Sequence, residues 1–247
     1  MKDLLLTPFR ALWKIYFFII FSGTLLLLYP VFLWNLQKPE RFVTCFRWMR
    51  FWAVLLQIFG GVVLLRKYSS PLPKPPYIIC ANHSSYWDII LMYRVFRDYF
   101  VFMGKDELRN WPVFHVFFTK GMNILVNRKN PVGATKALQE AGERLDRGEC
   151  VVIFPEGTIP KTAPKMKAFK NGAFRLAVEK QVPIVPVTFT GNWKLLQGSV
   201  FLKGKAGPGI TKAIVHSPVS TKGLSEEDIV PLKNKVYQII ASGLEKS

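Results

Sequence analysis

The 247-residue sequence has few acidic residues and no motif of a nucleic-acid-binding module. Lys and Arg total 34 against 16 Asp and Glu, which gives a formal net charge of +18. No zinc-ligand set or basic zipper accompanies this charge, and hydrophobic residues make up 50% of the chain. This composition argues against a soluble nucleic-acid binder. High hydrophobicity combined with strong positive charge instead indicates a protein that lies on anionic membrane lipid.

Cysteine is also scarce. Cys45, Cys80 and Cys150 lie far apart in apolar runs. Their spacing matches neither a disulfide framework nor a set of metal ligands, so we expect a reduced, cytoplasmic setting. Internal repeats and low-complexity segments are absent as well. The length therefore predicts one sizeable domain plus an appendage.

The appendage is the N-terminal segment 1–68, which contains two long apolar stretches. Residues 15–37 carry no charge, a length sufficient to cross a bilayer, and aromatic residues lie at both ends. The second stretch, residues 42–65, is interrupted by Arg47 and Arg50. The first run is too long for a cleavable signal peptide, and it lacks a small-residue cleavage site. We therefore predict a membrane-embedded helical hairpin that turns near residues 37–40.

The sequence allows two depths for this hairpin, embedding in one leaflet or two full spans of the bilayer. Arginine is costly at the centre of a bilayer, so Arg47 and Arg50 favour a shallow hairpin in one leaflet over two full spans. A third possibility is that both stretches are core helices. Basic residues at positions 10, 14, 66 and 67 flank the outer ends of the hairpin. By the positive-inside rule, both ends are expected on the cytoplasmic face.

After a proline-rich linker at residues 69–76, strand-like and helix-like patterns alternate. We expect strands at residues 77–81, 99–103, 122–127, 150–154, 184–189 and 210–215. We expect helices at residues 86–97, 133–147, 172–180 and 225–244. This alternation predicts an α/β domain over residues 77–247, with a mostly parallel central sheet flanked by helices.

Residues 77–88, YIICANHSSYWD, contain the first candidate site. A continuous helix would hold His83 and Asp88 roughly 140° apart around its axis, so they can meet only if the chain turns between them. Asn82, Ser84 and Ser85 are residue types that favour turns and helix N-caps. A carboxylate that binds one imidazole nitrogen leaves the other as a base for a hydroxyl. The alternative is a histidine that caps a helix beside an unrelated aspartate.

A second polar loop follows the strand predicted at residues 150–154. It contains Glu156, Gly157 and Thr158, and six cations follow between residues 161 and 180. A glycine that allows close approach, a hydroxyl and nearby cations predict a phosphate pocket. Glu156 would accept a hydrogen bond from a substrate hydroxyl or hold the loop. Alternatively, the cations form a solvated, lipid-facing surface.

Three blocks, taken in order, are similar to those of one enzyme family. Residues 82–88, NHSSYWD, resemble the NHxxxxD signature of the glycerolipid acyltransferases. Residues 154–158, FPEGT, resemble their FPEGTR signature, and residues 182–187, VPIVPV, resemble a third block. The similarity covers residues 75–215. The length and hydrophobic N terminus resemble the bacterial 1-acylglycerol-3-phosphate acyltransferases.

The resemblance implies transfer of a fatty-acyl group from acyl-carrier protein or acyl-CoA to the sn-2 hydroxyl of lysophosphatidate, which gives phosphatidate. The expected location is the cytoplasmic face of the bacterial inner membrane. His83 would be the general base and Asp88 would orient it. Backbone amides at the following helix N terminus are candidates for stabilising the oxyanion. No metal or organic cofactor is implied, because the acyl donor is a co-substrate.

The sequence departs from the family pattern after Glu-Gly-Thr, where the family's arginine is replaced by Ile159. The phosphate-binding role of that arginine cannot be carried over. Lys105, in GKDEL, resembles the family's basic position between the two signatures, and Arg128, in NILVNR, resembles the arginine of another acceptor-binding block. We therefore expect Lys105 and Arg128 to bind the acceptor's phosphate, with Lys161 as the substitute at the missing position.

Other functions remain as alternatives. Within the class, the acceptor could be glycerol-3-phosphate or another lysophospholipid. A serine lipid hydrolase that uses Ser84 or Ser85 is disfavoured because the sequence has no GxSxG nucleophile elbow. A catalytically silent membrane-binding protein is disfavoured by the intact His83, Asp88 and Glu-Gly-Thr residues.

Overall fold

The computed structural model describes residues 7–127, 130–197 and 204–245. Its helices are α1 (Thr7–Asn35), α2 (Phe42–Phe59), α3 (Trp87–Val95), α4 (Val116–Thr119), α5 (Pro131–Asp146), α6 (Gly172–Lys180), α7 (Asn192–Leu195) and α8 (Ile229–Glu245). Its strands are β1 (Val62–Tyr68), β2 (Ile78–Ala81), β3 (Phe100–Lys105), β4 (Ile124–Val126), β5 (Cys150–Ile153), β6 (Ile184–Phe189) and β7 (Gly209–Val215). Short 3-10 helices lie at Pro39–Arg41, Asp106–Asn110 and Glu226–Asp228.

The strands form one sheet in the order β1-β7-β6-β2-β5-β3-β4. Neighbouring strands are parallel except for β6 and β7. Every residue of β2 and β6 is buried, as expected for central strands covered on both faces. The predicted α/β fold with a mostly parallel sheet and flanking helices is thereby confirmed.

The bounds after residue 77 follow the sequence prediction closely. The helix predicted at residues 172–180 coincides with α6, and the strand at 184–189 coincides with β6. The last predicted helix begins later, because Glu226–Asp228 forms a 3-10 turn before α8. A capping box between Ser225 and Asp228 starts that turn. The short helices α4 and α7 were not predicted, since four residues carry too little periodicity to detect.

The two N-terminal helices pack against each other after a turn at residues 36–41. The indole N–H of Trp52 in α2 donates to the hydroxyl of Thr24 in α1 at 2.8 Å. Both helices are long and apolar enough to cross a membrane, by length and composition. Each has a buried apolar face and an exposed apolar face. Exposed apolar residues include Leu12, Phe18, Ile19, Leu26 and Leu27 of α1 and Trp48, Phe51, Ile58 and Phe59 of α2.

The second apolar stretch is not helical as far as residue 65, so that part of the hairpin prediction was wrong. α2 ends at Phe59, and residues 62–68 form β1, which pairs in parallel with β7 at the edge of the sheet. Gly60 and Gly61 separate the helix from the strand. Gly61 has φ +61°, and a Cβ on Gly60 would lie 2.7 Å from the Trp87 ring. Glycine therefore suits both the reversal and the close approach.

The hairpin continues the core of the α/β domain. Phe17 of α1 lies 5.0 Å from Trp87 between ring centroids, and Phe46 of α2 lies 4.8 Å from Phe100. Arg50 donates from Nε to the backbone oxygen of Tyr93 at 3.2 Å, whereas Arg47 is exposed. The contact with Tyr93 thus explains an arginine at position 50 without reference to membrane depth. The free cysteines at positions 45, 80 and 150 are all buried in the core.

Candidate active site

The strand order brings the candidate residues to one edge of the sheet. β2, β5, β3 and β4 are consecutive, parallel neighbours, so their carboxyl ends lie side by side. His83 follows β2, Glu156 follows β5, Lys105 ends β3 and Asn127 follows β4. The loops that contain His83 and Glu156 are far apart in the sequence but are therefore adjacent in space.

Asn82 determines where the chain leaves the sheet. Its side-chain amide donates to the backbone oxygen of Phe189 at 3.0 Å and accepts from the backbone N–H of the same residue at 2.8 Å. Because Phe189 ends β6, these two side-chain hydrogen bonds take the place of the next backbone pair between β2 and β6. The chain turns immediately after it, at His83, and enters α3 four residues later.

His83 and Asp88 contact each other directly. Nδ1 of His83 lies 3.0 Å from Oδ2 of Asp88. The same oxygen accepts from the backbone N–H groups of Ser84 and Ser85 at 2.5 and 2.9 Å. A carboxylate oxygen in this position is an acceptor, so Nδ1 carries the proton and Nε2 has its lone pair free. Asp88 is fully buried in the first turn of α3, where the helix dipole favours a negative charge.

The imidazole is also held on its face. The Phe154 ring stacks on it with a centroid distance of 4.1 Å and an interplanar angle of 17°. The side chain of His83 is 13% exposed. The ring is therefore fixed by one nitrogen and one face, while its second nitrogen remains for a substrate.

The two serines of this turn are not arranged as nucleophiles. Ser85 is buried, and its hydroxyl donates to the Leu196 backbone oxygen at 2.6 Å and accepts from the Trp87 backbone N–H at 3.1 Å. The buried Ser84 hydroxyl lies 3.5 Å from Oδ1 of Asp88. Because the Ser84 and Ser85 backbone amides bind Asp88, they are not free to bind an oxyanion. Oxyanion stabilisation by other amides at the N terminus of α3 stays a prediction.

Glu156 ties the second loop to His83. Its Oε1 accepts from the His83 backbone N–H at 2.8 Å, and its Oε2 accepts from the Lys167 backbone N–H at 2.8 Å. The side chain is 4% exposed, and burial raises the pKa of its carboxyl against the opposing effect of these two amides. Of the two roles considered for Glu156, the hydrogen bonds favour holding the loop.

A cleft of about 390 Å³ lies beside this loop. Its lining residues are Lys105, Asp106, Glu107, Arg109, Asn110, Asn127, Gly157 and Thr158. Gly157 has φ +76°, a conformation that favours glycine. The predicted Lys105, Gly157 and Thr158 thus share one cleft, next to the residue that binds the His83 backbone.

Lys170 is a cation beside Gly157 that the sequence analysis did not single out, although it is not among the described residues that line the cleft. A Cβ on Gly157 would lie 3.1 Å from Cε and 3.3 Å from Nζ of Lys170, so the ammonium group lies against the Gly157 wall. The loop returns to this point because the Lys170 backbone N–H donates to the Pro155 oxygen at 2.9 Å. Sequence alone offers no signal that distinguishes Lys170 from the other cations of the run.

The remaining predicted acceptor residues are placed differently. Arg128 lies outside the described residues. Lys161 is exposed on the loop and is not among the described residues that line the cleft. Arg109, which does line the cleft, forms an ion pair with Asp106 at 3.3 Å.

Comparison with known proteins identifies relatives. A family model described as Acyltransferase matches residues 65–190, just over half of the chain. The 1-acyl-sn-glycerol-3-phosphate acyltransferase of Saccharomyces cerevisiae is 30% identical over 177 residues, which are 71% of this chain and 57% of that protein. The alpha form of Mus musculus is 32% identical over 165 residues, which are 66% and 57% of the two chains. The chain thus spans little more than half the length of these relatives.

A solved structure matches nearly the whole fold. The 1-acyl-sn-glycerophosphate (LPA) acyltransferase PlsC from Thermotoga maritima aligns with a TM-score of 0.80 and 25% identity, covering 96% of this chain and 95% of that one. The segment matched by the family model contains the His83–Asp88 pair, Glu156 and Lys105. The chain therefore belongs to the acyltransferase family.

Proposed function

We propose that the protein transfers a fatty-acyl group to the sn-2 hydroxyl of lysophosphatidate and forms phosphatidate. The observation that carries the proposal is the hydrogen bond from the His83 backbone to Glu156, which joins a general-base pair to the cleft that Lys105, Gly157 and Thr158 line. An acceptor with both a hydroxyl and a phosphate needs these two features at short range. The names of the curated relatives support the same acceptor.

In the proposed reaction, Nε2 of His83 removes the proton from the acceptor hydroxyl as that oxygen attacks the thioester carbonyl carbon. The ester C–O bond forms, the C–S bond breaks, and the proton passes from Nε2 to the leaving thiolate. Asp88 fixes Nδ1–H and stabilises the imidazolium that forms. The contacts of Ser84 and Ser85 support direct transfer without an acyl-serine. The donor is acyl-carrier protein or acyl-CoA, and the scheme needs no metal or organic cofactor.

The acceptor's phosphate occupies the cleft in this proposal. Lys105 supplies positive charge from the cleft lining, and the Lys170 ammonium beside Gly157 adds a second charge at the edge of the same loop. A lysine binds phosphate as a point charge, so two lysines compensate for the arginine that Ile159 replaces. Arg128 and Lys161 remain proposed contributors.

The hairpin holds the domain on anionic lipid at the cytoplasmic face of the inner membrane. The exposed apolar faces of α1 and α2 are costly in water and fit a bilayer. The net charge of +18 adds attraction to anionic headgroups. The exposed Arg47 on α2 favours insertion into one leaflet over a full span.

The proposal is tested by assaying the purified protein in vesicles that contain phosphatidylglycerol. Lysophosphatidate, glycerol-3-phosphate and lysophosphatidylcholine are compared as acceptors, each with palmitoyl-CoA and palmitoyl-acyl-carrier protein, and products are identified by mass spectrometry. We expect phosphatidate, with a kcat/KM for lysophosphatidate at least about ten-fold above that for lysophosphatidylcholine, which lacks a phosphate monoester. A preference for glycerol-3-phosphate or for lysophosphatidylcholine would overturn the acceptor assignment. Release of free fatty acid without an acceptor would instead indicate a hydrolase.

A further inference from the structure

Asp88 also has a buried partner that is distant in the sequence. Nδ2 of Asn192 lies 2.6 Å from Oδ1 of Asp88, and Oδ1 of Asn192 lies 2.6 Å from Oγ1 of Thr211. Asp88 and Asn192 are 0% exposed and Thr211 is 2% exposed. A chain of hydrogen bonds therefore runs from Thr211 in β7 through Asn192 and Asp88 to His83.

The chemistry of the groups fixes the direction of these bonds. An ionised carboxylate is only an acceptor, so Asn192 must present its NH₂ group to Asp88. The carbonyl oxygen of Asn192 then faces Thr211, whose hydroxyl donates to it. The flipped amide would place two acceptors against each other. Asp88 thus sets the amide orientation, and the Thr211 hydroxyl, which can donate or accept, donates to the carbonyl oxygen that remains.

The local backbone makes this arrangement possible. Asn192 is the first residue of α7, directly after Gly191. A Cβ on Gly191 would lie 3.2 Å from both the Ile210 oxygen and Oγ1 of Thr211, so the connection passes very close to β7. The Thr190 backbone N–H donates to the Lys212 oxygen at 3.1 Å and fixes this approach.

We propose that Asn192 and Thr211 are positioning residues for acyl transfer. Asn192 holds Oδ1 of Asp88, so that Oδ2 remains directed at Nδ1 of His83, and Thr211 holds Asn192. Without Asn192, Oδ1 would keep only the Ser84 hydroxyl contact at 3.5 Å in a site closed to water. The inference rests on the proposed function, because the effect reaches the reaction through His83.

The experiment measures kcat and the KM for lysophosphatidate in vesicles. Thr211→Val removes the hydroxyl and keeps the shape, and Thr211→Ser keeps the hydroxyl. We expect Thr211→Val to lower kcat about three- to ten-fold with unchanged KM, and Thr211→Ser to retain the wild-type kcat.

Asn192→Ala should lower kcat about ten- to a hundred-fold, because its bond involves a charged group. Thr188→Val is the matched control, since that buried strand hydroxyl donates to the Ile240 oxygen at 3.0 Å and should affect only stability.

Wild-type kcat in Thr211→Val would overturn the inference, as would an equal loss in Thr211→Ser. The Asn192→Ala change is also made in an Asp88→Asn background. There we expect a smaller loss of kcat, because the charged acceptor is gone. If the two substitutions lower kcat independently, the inference is overturned. If the wild type fails to acylate lysophosphatidate, the proposed function fails and this inference with it. An active wild type with unaffected variants refutes the inference alone.

Discussion

Glu156 accepts a hydrogen bond from the backbone N–H of His83, with 2.8 Å between the nitrogen and Oε1, across 73 positions of sequence. The other oxygen of the same carboxylate accepts from the Lys167 backbone N–H at 2.8 Å. Lys167 belongs to the loop that carries Lys170 to Gly157, which lines the cleft. One buried carboxylate therefore couples the position of the candidate base to the position of the cleft wall.

His83→Ala should reduce acyl transfer by about 10²- to 10⁴-fold, because it removes the general base. The measurement is the initial rate of phosphatidate formation with lysophosphatidate and palmitoyl-CoA. His115→Ala is the matched control, since Nδ1 of His115 lies 3.2 Å from the Trp111 backbone oxygen. Retention of more than about a tenth of the wild-type rate by His83→Ala would assign the base elsewhere.

Lys105→Ala and Lys170→Ala should each raise the KM for lysophosphatidate about ten- to a hundred-fold, because a charge-assisted hydrogen bond to phosphate is lost. The KM for palmitoyl-CoA should change little. Lys222→Ala, at an exposed position, is the control. If only Lys105→Ala has an effect, the Lys170 ammonium does not contact the phosphate.

Ile159→Arg restores the family's residue in the loop that follows β5. We expect the KM for lysophosphatidate to fall or stay equal, since a guanidinium adds a bidentate phosphate ligand. The measurement is the acceptor KM, with Ile159→Leu as the control for changed side-chain shape. A loss of activity in the arginine variant alone would indicate that residue 159 packs against apolar groups.

Glu156→Gln should change the pH dependence of stability in a defined direction. Burial raises the pKa of Glu156 above its ordinary value of 4.5, so the folded state binds this proton more tightly than the unfolded state does. The stability that the glutamate adds is therefore largest below about pH 4.5 and decreases as the pH rises through the folded-state pKa. Glutamine does not titrate, so the Tm deficit of the variant should be largest in acid and narrow as pH rises. A deficit that widens with pH would contradict the raised pKa.

Leu27→Lys should weaken membrane binding without unfolding the protein. Leu27 of α1 is 77% exposed, so the substitution removes apolar surface from the hairpin and not from the core. Flotation with phosphatidylglycerol vesicles measures the bound fraction. Val132→Lys adds the same charge at a 74% exposed apolar residue of α5, away from the hairpin, and should bind like the wild type. Equal flotation of both variants would remove α1 from the membrane contact.

Local patterns in the sequence were sufficient for most of the sheet and for the turn between His83 and Asp88. Their signals, apolar strand runs and turn-forming residues, lie within a few positions of each other. β1 was missed because its apolar residues follow α2 with only two glycines between them, and a continuous apolar run fits either a helix or a buried strand.

The partners that cross the fold could not be predicted in the same way. Asn192 binds Asp88 from 104 positions away, and Lys170 reaches Gly157 only because its loop folds back on Pro155. Neither contact has a local pattern, since each depends on strand order and loop closure. The departure at Ile159 was visible in the sequence, whereas the position of Lys170 beside Gly157 depends on the loop conformation.

The contact between Phe17 and Trp87 means that α1, the proposed membrane anchor, is not interchangeable with another apolar helix. Trp87 directly precedes Asp88, so the aromatic face of α1 forms the rear wall of the turn that carries the candidate dyad. An unrelated transmembrane segment grafted in place of α1 would keep the protein at the bilayer but leave Trp87 without this wall. In the proposed function, membrane binding and support of the dyad therefore rest on different faces of α1, the exposed face and the face that packs on Trp87.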